Sequence, residues 1–205
     1  MNRDETRTAR IQLALDLLNT AGRGSARATS DRGQDGTRLD ALGRPADAVA
    51  WMVSRGLLGR RHAESLSPAE ARRLQTEALR LRDDAARALE AYSVRRRIPA
   101  AALFGINRAL EAGRPVRRLE STRSSFELVE RWEATGPLSA LAPVAHAAAR
   151  LLVETSPSRL RRCASSSCGA WFLDTSKGGQ RKWCSMARCG NRAKAARRRR
   201  LLAGS

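Results

Sequence analysis

Apolar residues recur at helical spacing through most of the first 158 positions. Ile11, Leu15 and Leu18 share one helix face, and Leu74, Ala78, Leu81, Ala85, Leu89 and Tyr92 continue the same rule over about five turns. The pattern predicts helices near residues 8–20, 45–55, 68–94, 99–112 and 138–155. The third opens on "SPAE", Ser67 to Glu70, a capping box with Pro68 at the first helical position. "VRRLE" (116–120) and "SFELVERWE" (125–133) alternate imperfectly and read as two short strands. The polar, Gly-rich run at 21–38 has no period and reads as a loop. The expected fold class is therefore a mainly α N-terminal domain with room for a short β-hairpin, over residues 1–158. A chain of that length can bury one core.

The pattern breaks after "SPSRLRRC" (156–163). All four cysteines of the 205-residue chain fall in the remaining segment, as Cys163/Cys168 and Cys184/Cys189, each pair separated by four residues. A disulfide-stapled secreted module and a metal site are the competing readings. The N-terminus lacks the apolar core of a secretory signal, and no run approaches the ~18 apolar residues of a membrane span. These features point to a reducing, intracellular setting without a membrane anchor, where paired cysteines bind metal more often than each other. Four thiolates with no nearby histidine suit one structural Zn2+ on Cys163, Cys168, Cys184 and Cys189. Residues 159–205 are too few to fold unaided, and a metal is one remedy. The expected architecture is a zinc knuckle, a hairpin pairing "AWFLD" (170–174) with "QRKW" (180–183), and a helix starting near Ser185. This is treble-clef-like. Trp171 or Phe172, with Leu173, Trp183 and Met186, would form its small core, although the aromatics suit base stacking as well.

Charge sharpens the picture. The chain carries 39 Lys and Arg against 20 Asp and Glu, and residues 159–205 hold 13 of the former but a single acid, Asp174. That concentration is the footprint of a polyanion partner, unless the tail is merely solvated. Arg161, Arg162, Arg181, Lys182 and Arg188 would also favour ionised sulfurs. Helical spacing after Met186 puts Cys189, Ala193 and Ala196 on one side, with Asn191, Lys194 and Arg198 roughly opposite. Asn191 and Arg198 are suited to base edges, and Arg197, Arg199 and Arg200 to phosphates. Arg192 leans toward the metal side, where it either supports the module or reaches a base. The nucleic-acid-binding candidates are thus Arg181, Lys182, Arg188, Asn191, Arg192, Lys194 and Arg197 to Arg200.

"WCSMARCGNRAK" (183–194), with the cysteine pairs around it, resembles the CGNR zinc finger of bacteria. "LALDLLNT" (13–20), "RPADAVAWMVSRGLL" (44–58) and "LSALAPVAHAAARLLVE" (138–154) resemble its partner, the ABATE domain of stress-induced transcription regulators. The resemblance implies a DNA-binding regulator, cytoplasmic and nucleoid-associated, with zinc on the four cysteines. The long insert at 21–38 departs from the family pattern.

No nucleophile–base or nucleotide motif supports catalysis, and the two histidines, His62 and His146, stand apart in sequence. A non-enzymatic regulator is the leading expectation. Double-stranded DNA is its expected partner, with RNA or ribosome association as the alternative. A small-molecule effector is allowed for, with Asp16, Asn19 and Trp51 as candidate pocket residues, as is a homodimer.

Overall fold

A computed structural model of the chain describes residues 3–21, 40–133, 136, 138–165 and 167–203. Each expected helix forms: α1 (Arg3–Leu18), α2 (Pro45–Ser54), α4 (Pro68–Ser93), α5 (Ala100–Glu111) and α6 (Ala142–Glu154), the last entered through a 3-10 turn at Ser139–Leu141. The short α3 (Arg60–Ser65) is additional, and it buries no residue, so it left no apolar period to read. From residue 22 on, the polar run expected as a loop lies outside the described residues.

Helix α4 is the spine of this domain. Its start is fixed as its sequence predicts: Ser67 Oγ accepts from the Glu70 N–H at 3.3 Å, and Glu70 Oε2 accepts from the Ser67 N–H at 2.8 Å. Leu74, Ala78, Leu81, Ala85 and Leu89 are buried along one face. They meet α1, α2, α5 and α6, so that α4 divides a larger core around Met52, Ile106 and Leu141 from a smaller one around Ile11, Leu15 and Leu151. Ala and Leu make up most of both cores, and the small Ala side chains let helices approach closely at low cost in side-chain entropy.

Between α5 and α6 the chain forms an antiparallel hairpin, β1 (Arg114–Ser121) with β2 (Phe126–Glu133), in register from Arg114↔Glu133 to Ser121↔Phe126. Gly113 is needed at its root, because a Cβ there would lie 2.6 Å from the Ala142 Cβ. At the tip, Thr122 and Ser125 close the turn through backbone and hydroxyl hydrogen bonds.

The C-terminal segment contains β3 (Leu160–Arg162), β4 (Trp171–Leu173) and α7 (Asn191–Ala203). One sequence expectation is corrected here. Strand β4 pairs antiparallel with β3, Leu160↔Leu173 through Arg162↔Trp171, and not with residues 180–183. The reason is Asp174, whose buried carboxylate takes the N–H groups of Ser176 and Arg181 at 3.0 and 2.8 Å. Those bonds satisfy the returning chain through a side chain instead of a ladder. Lys182 instead uses its carbonyl to accept from the Ala164 N–H at 2.8 Å, beside the first cysteine pair. The helix near Ser185 begins with a wide π turn over Met186–Gly190, capped by the Ser185 hydroxyl, before α7 takes over.

Candidate metal centre and nucleic-acid surface

Three structural devices bring the cysteines together. The turn after β3 presents Cys163 and Cys168, with the Cys168 N–H bound to the Ser165 carbonyl at 2.9 Å and the Cys163 N–H to the Ala170 carbonyl at 2.8 Å. The segment 180–185 is drawn in by Asp174 and by Arg181, whose guanidinium donates to the carbonyls of Trp183, at 2.9 Å, and of Cys184. The π turn then carries Cys189 inward, its N–H on the Ser185 carbonyl at 2.9 Å.

The four sulfurs all lie within 4.8 Å of one another, with Cys168–Cys184 at 3.6 Å and Cys184–Cys189 at 3.8 Å. A disulfide requires about 2.05 Å. A tetrahedron of zinc–sulfur bonds near 2.3 Å has edges of about 3.8 Å, so the spacing fits four thiolates on one ion. The donor set, all sulfur, is the one structural zinc prefers. The ionisation of the thiols fits the same reading. Burial raises the Cys163 thiol, but N–H groups of Cys184 and Ser165 and the neighbouring thiols outweigh it and hold it below the usual range. Burial and the adjacent Cys168 push Cys184 far up and Cys189 up to about 11. Crowded sulfurs cannot all ionise unaided, and a divalent cation among them reverses that balance.

Strand β4 serves two interiors at once, because successive side chains point to opposite faces. Phe172 packs with Cys163, Cys168, Cys189 and Trp183 around the sulfurs. Trp171 faces away and joins Ile11, Leu15, Leu18, Leu89 and Leu151 in the smaller helical core, with Leu160 and Leu173 beside it. The expected small core is thereby corrected: Trp171 and Leu173 belong to the junction, and Met186 is half-exposed, lying over Gly190.

The junction is also polar. Asn19 Oδ1 accepts from the Trp171 N–H at 2.8 Å and Asn19 Nδ2 donates to the Trp171 carbonyl at 2.9 Å. One amide side chain thus pairs with β4 as a neighbouring strand would. Arg162 lies over the Trp171 ring at 4.4 Å and 3.7 Å from Glu90, and the Tyr92 hydroxyl donates to the Thr155 carbonyl.

The three candidate pocket residues are engaged elsewhere in the domain. Asp16 accepts from Gln12 at 2.8 Å and pairs with Arg55 at 3.2 Å; Asn19 holds β4; Trp51 packs in the larger core. Thr20 hydrogen-bonds Arg82 at 3.0 Å, which clamps Asp40 at 2.7 Å. The "DLLNT" stretch therefore binds elements to one another. A groove of about 410 Å³ lies at Arg73, Glu77, Arg108, Leu138 and Ser139. His146 meets Trp132 in a tilted ring contact at 5.4 Å, and His62 is exposed on α3.

The basic residues divide into two sets. Arg159, Arg161 and Arg181 donate inward to backbone carbonyls of the module, and Arg192 donates to Ser167 Oγ at 2.8 Å, next to Cys168. Asn191 Nδ2 donates to the Ala187 carbonyl at 3.2 Å across the start of α7. Lys182, Arg188, Lys194, Arg197, Arg198 and Arg199 are exposed, while Ala193 and Ala196 are half-buried. Arg200 falls within α7, and its side chain is outside the described residues. Sequence reasoning missed the roles of Asn19 and Asp174. Asp174 had a signal, being the single acid among 13 bases, since an isolated charge of that kind is often an internal partner.

Residues 12–155 match the ABATE family model, described as "Putative stress-induced transcription regulator". The chain belongs to the ABATE family. Its residues 159–200 match the CGNR zinc finger, whose four letters are Cys189, Gly190, Asn191 and Arg192 here. No curated protein matches the chain. In this ABATE-family protein, no helix among the described residues is long and apolar enough to cross a membrane.

Proposed function

We propose that the protein is a DNA-binding transcription regulator whose C-terminal module, held by one structural zinc ion, lays the exposed side of α7 on duplex DNA. The observation that carries this reading is the separation of charges in residues 159–203. The single acid is buried and bonded within the module, while Lys194, Arg197, Arg198 and Arg199 project from one helix. A helix fits the major groove, and its cations release condensed counterions from phosphates. Lys194 and Arg198 are the base-reading candidates. Asn191 would have to release the Ala187 carbonyl to bond an adenine with both amide atoms, so its first role is to tie α7 to the π turn before it. The helical domain has no proposed chemistry of its own; it senses an effector or mediates association.

Selection of bound sequences from random duplexes tests the reading, followed by competition with structured RNA at stated salt. Truncation after Ala196 removes Arg197 to Arg200 and should weaken all duplexes alike, lowering the salt slope by about 3–4. RNA that outcompetes every duplex at the same ionic strength would replace DNA as the partner.

A further inference from the structure

The β1–β2 hairpin stands off the helical body with both long edges unpaired among the described residues, where its sheet has two strands. Two-stranded ribbons are marginal in water unless a face is covered. Cross-strand partners share a face, so Pro115, Arg117, Leu119 and Ser121 of β1 lie on the same side as Trp132, Glu130, Leu128 and Phe126 of β2. At the root of that side Trp132 is covered by His146 of α6. Toward the tip nothing covers Leu119, Leu128 or Phe126 among the described residues, and they are 68%, 62% and 73% exposed. Single exposed apolar side chains are ordinary, but three adjoining ones on a turn closed by Thr122 and Ser125 form a patch.

Charge identifies what covers it. A DNA arm should be basic throughout, yet on this face the charges balance: Arg117 of β1 and Glu130 of β2, which pair with each other at 4.0 Å. The face is complementary to itself. Two copies can meet face to face about a two-fold axis in two ways. One lays β1 on the other copy's β1 and, centred on the Leu119–Leu128 level, sets Glu130 against the other copy's Phe126. The other, with the axis parallel to the strands, lays β1 on the other copy's β2. In that arrangement each residue faces the second copy of its own cross-strand partner: Leu119 meets Leu128, and Arg117 meets Glu130. We infer that the tip half of the β1–β2 hairpin is a self-association surface, through which two copies of this chain pack face to face with β1 of each against β2 of the other. The closed two-fold pairing covers the apolar patch without building open fibres. This deepens the association role assigned to the helical domain and requires no nucleic acid.

The test uses the full zinc-loaded chain in the absence of DNA, with mass measured by sedimentation equilibrium. Wild-type protein should be dimeric. Leu119→Lys combined with Leu128→Lys should give a monomer with unchanged helicity and zinc content, since both sites are exposed. Arg117→Glu and Glu130→Arg should each weaken the dimer at least about tenfold, and mixing these two variants should restore it as a heterodimer. A wild-type monomer up to about 100 µM would overturn the inference. So would a dimer that survives the double lysine variant, or charge variants that mixing fails to rescue. If the wild type is monomeric and the lysine variant binds duplexes more tightly or more weakly, the hairpin is a DNA arm instead. The duplex selection reports on the DNA reading separately, so either can fail alone.

Discussion

The helical domain closes its interior with Leu, Ala, Ile, Val and Met brought together across helix faces. The C-terminal module has for its interior three buried cysteines, Ala170 and Phe172, with Trp183 and Cys184 beside them. The first interior is sustained by the area it removes from water. The second is too small for that, and it is sustained by side chains that bind backbone, Asp174 on Ser176 and Arg181, and Arg181 on Trp183 and Cys184, with Arg192 on the Ser167 hydroxyl at its surface. Its four sulfurs are spaced for a single cation. The two regions nevertheless share Trp171 and Leu160, so the finger is clamped to the helices and does not hang on a linker. A shift of α1 is therefore felt directly at β4.

Metal removal should separate the two regions most strongly. Purified protein is expected to contain one zinc ion per chain, and structural zinc contributes on the order of 10 kcal/mol to such a module at neutral pH. Chelation, Cys184→Ser or Cys189→Ser should melt residues 159–203 while the far-ultraviolet signal of the helices persists. Because Trp171 leaves the shared core, the helical transition itself should also move to lower denaturant. Elemental analysis together with circular dichroism and tryptophan fluorescence checks both parts, and an unmoved helical transition would refute the shared core.

The clamp can be broken without touching the metal. Asn19→Ala removes two hydrogen bonds and leaves the N–H and carbonyl of buried Trp171 without those partners, which should cost about 2–3 kcal/mol. Zinc content should be unchanged, and urea melts should show module and helices unfolding in two steps instead of one. A single unshifted transition would mean that the apolar contacts of Trp171 suffice.

The smallest effect concerns Asp174. Burial raises its carboxyl, but the Ser176 hydroxyl and N–H, the Arg181 N–H and the nearby Arg159 charge outweigh it and hold it at about 2, against 3.8 ordinarily. A depressed carboxyl contributes stability that is complete above about 4 and is lost as pH falls toward 2. The contribution is about 1–2 kcal/mol. Asp174→Asn should therefore be less stable than wild type by an amount that stays flat from pH 8 to about 5. Zinc-loaded protein melted across that range supplies the check, and a deficit that already shrinks above pH 5 would show that the carboxyl is not held low.

Helix positions in residues 1–158 were legible because a 3.6-residue period survives in Leu and Ala whatever the helices pack against, and the Ser67–Glu70 box is purely local. The cysteine cluster was legible for a related reason: four ligands of one kind at fixed spacing leave few arrangements. The hairpin at 114–133 was also visible, though its two-sided exposure was not, since alternation does not say which face finds a neighbour. What remained hidden were pairings between residues far apart in the chain. Asn19 and Trp171 are separated by 152 positions, and a short polar side chain at a helix end looks the same whether it caps, lines a pocket or grips a strand. Strand β4 could be recognised as a strand, but three residues of apolar sequence do not reveal that Trp171 serves one core and Phe172 another. The basic residues likewise carry one sequence signal and two fates. Arg181 turns inward, Arg192 reaches Ser167 at the surface, and Lys194 and Arg198 stand exposed, because only the folded backbone determines which carbonyls and hydroxyls stand within reach of a guanidinium.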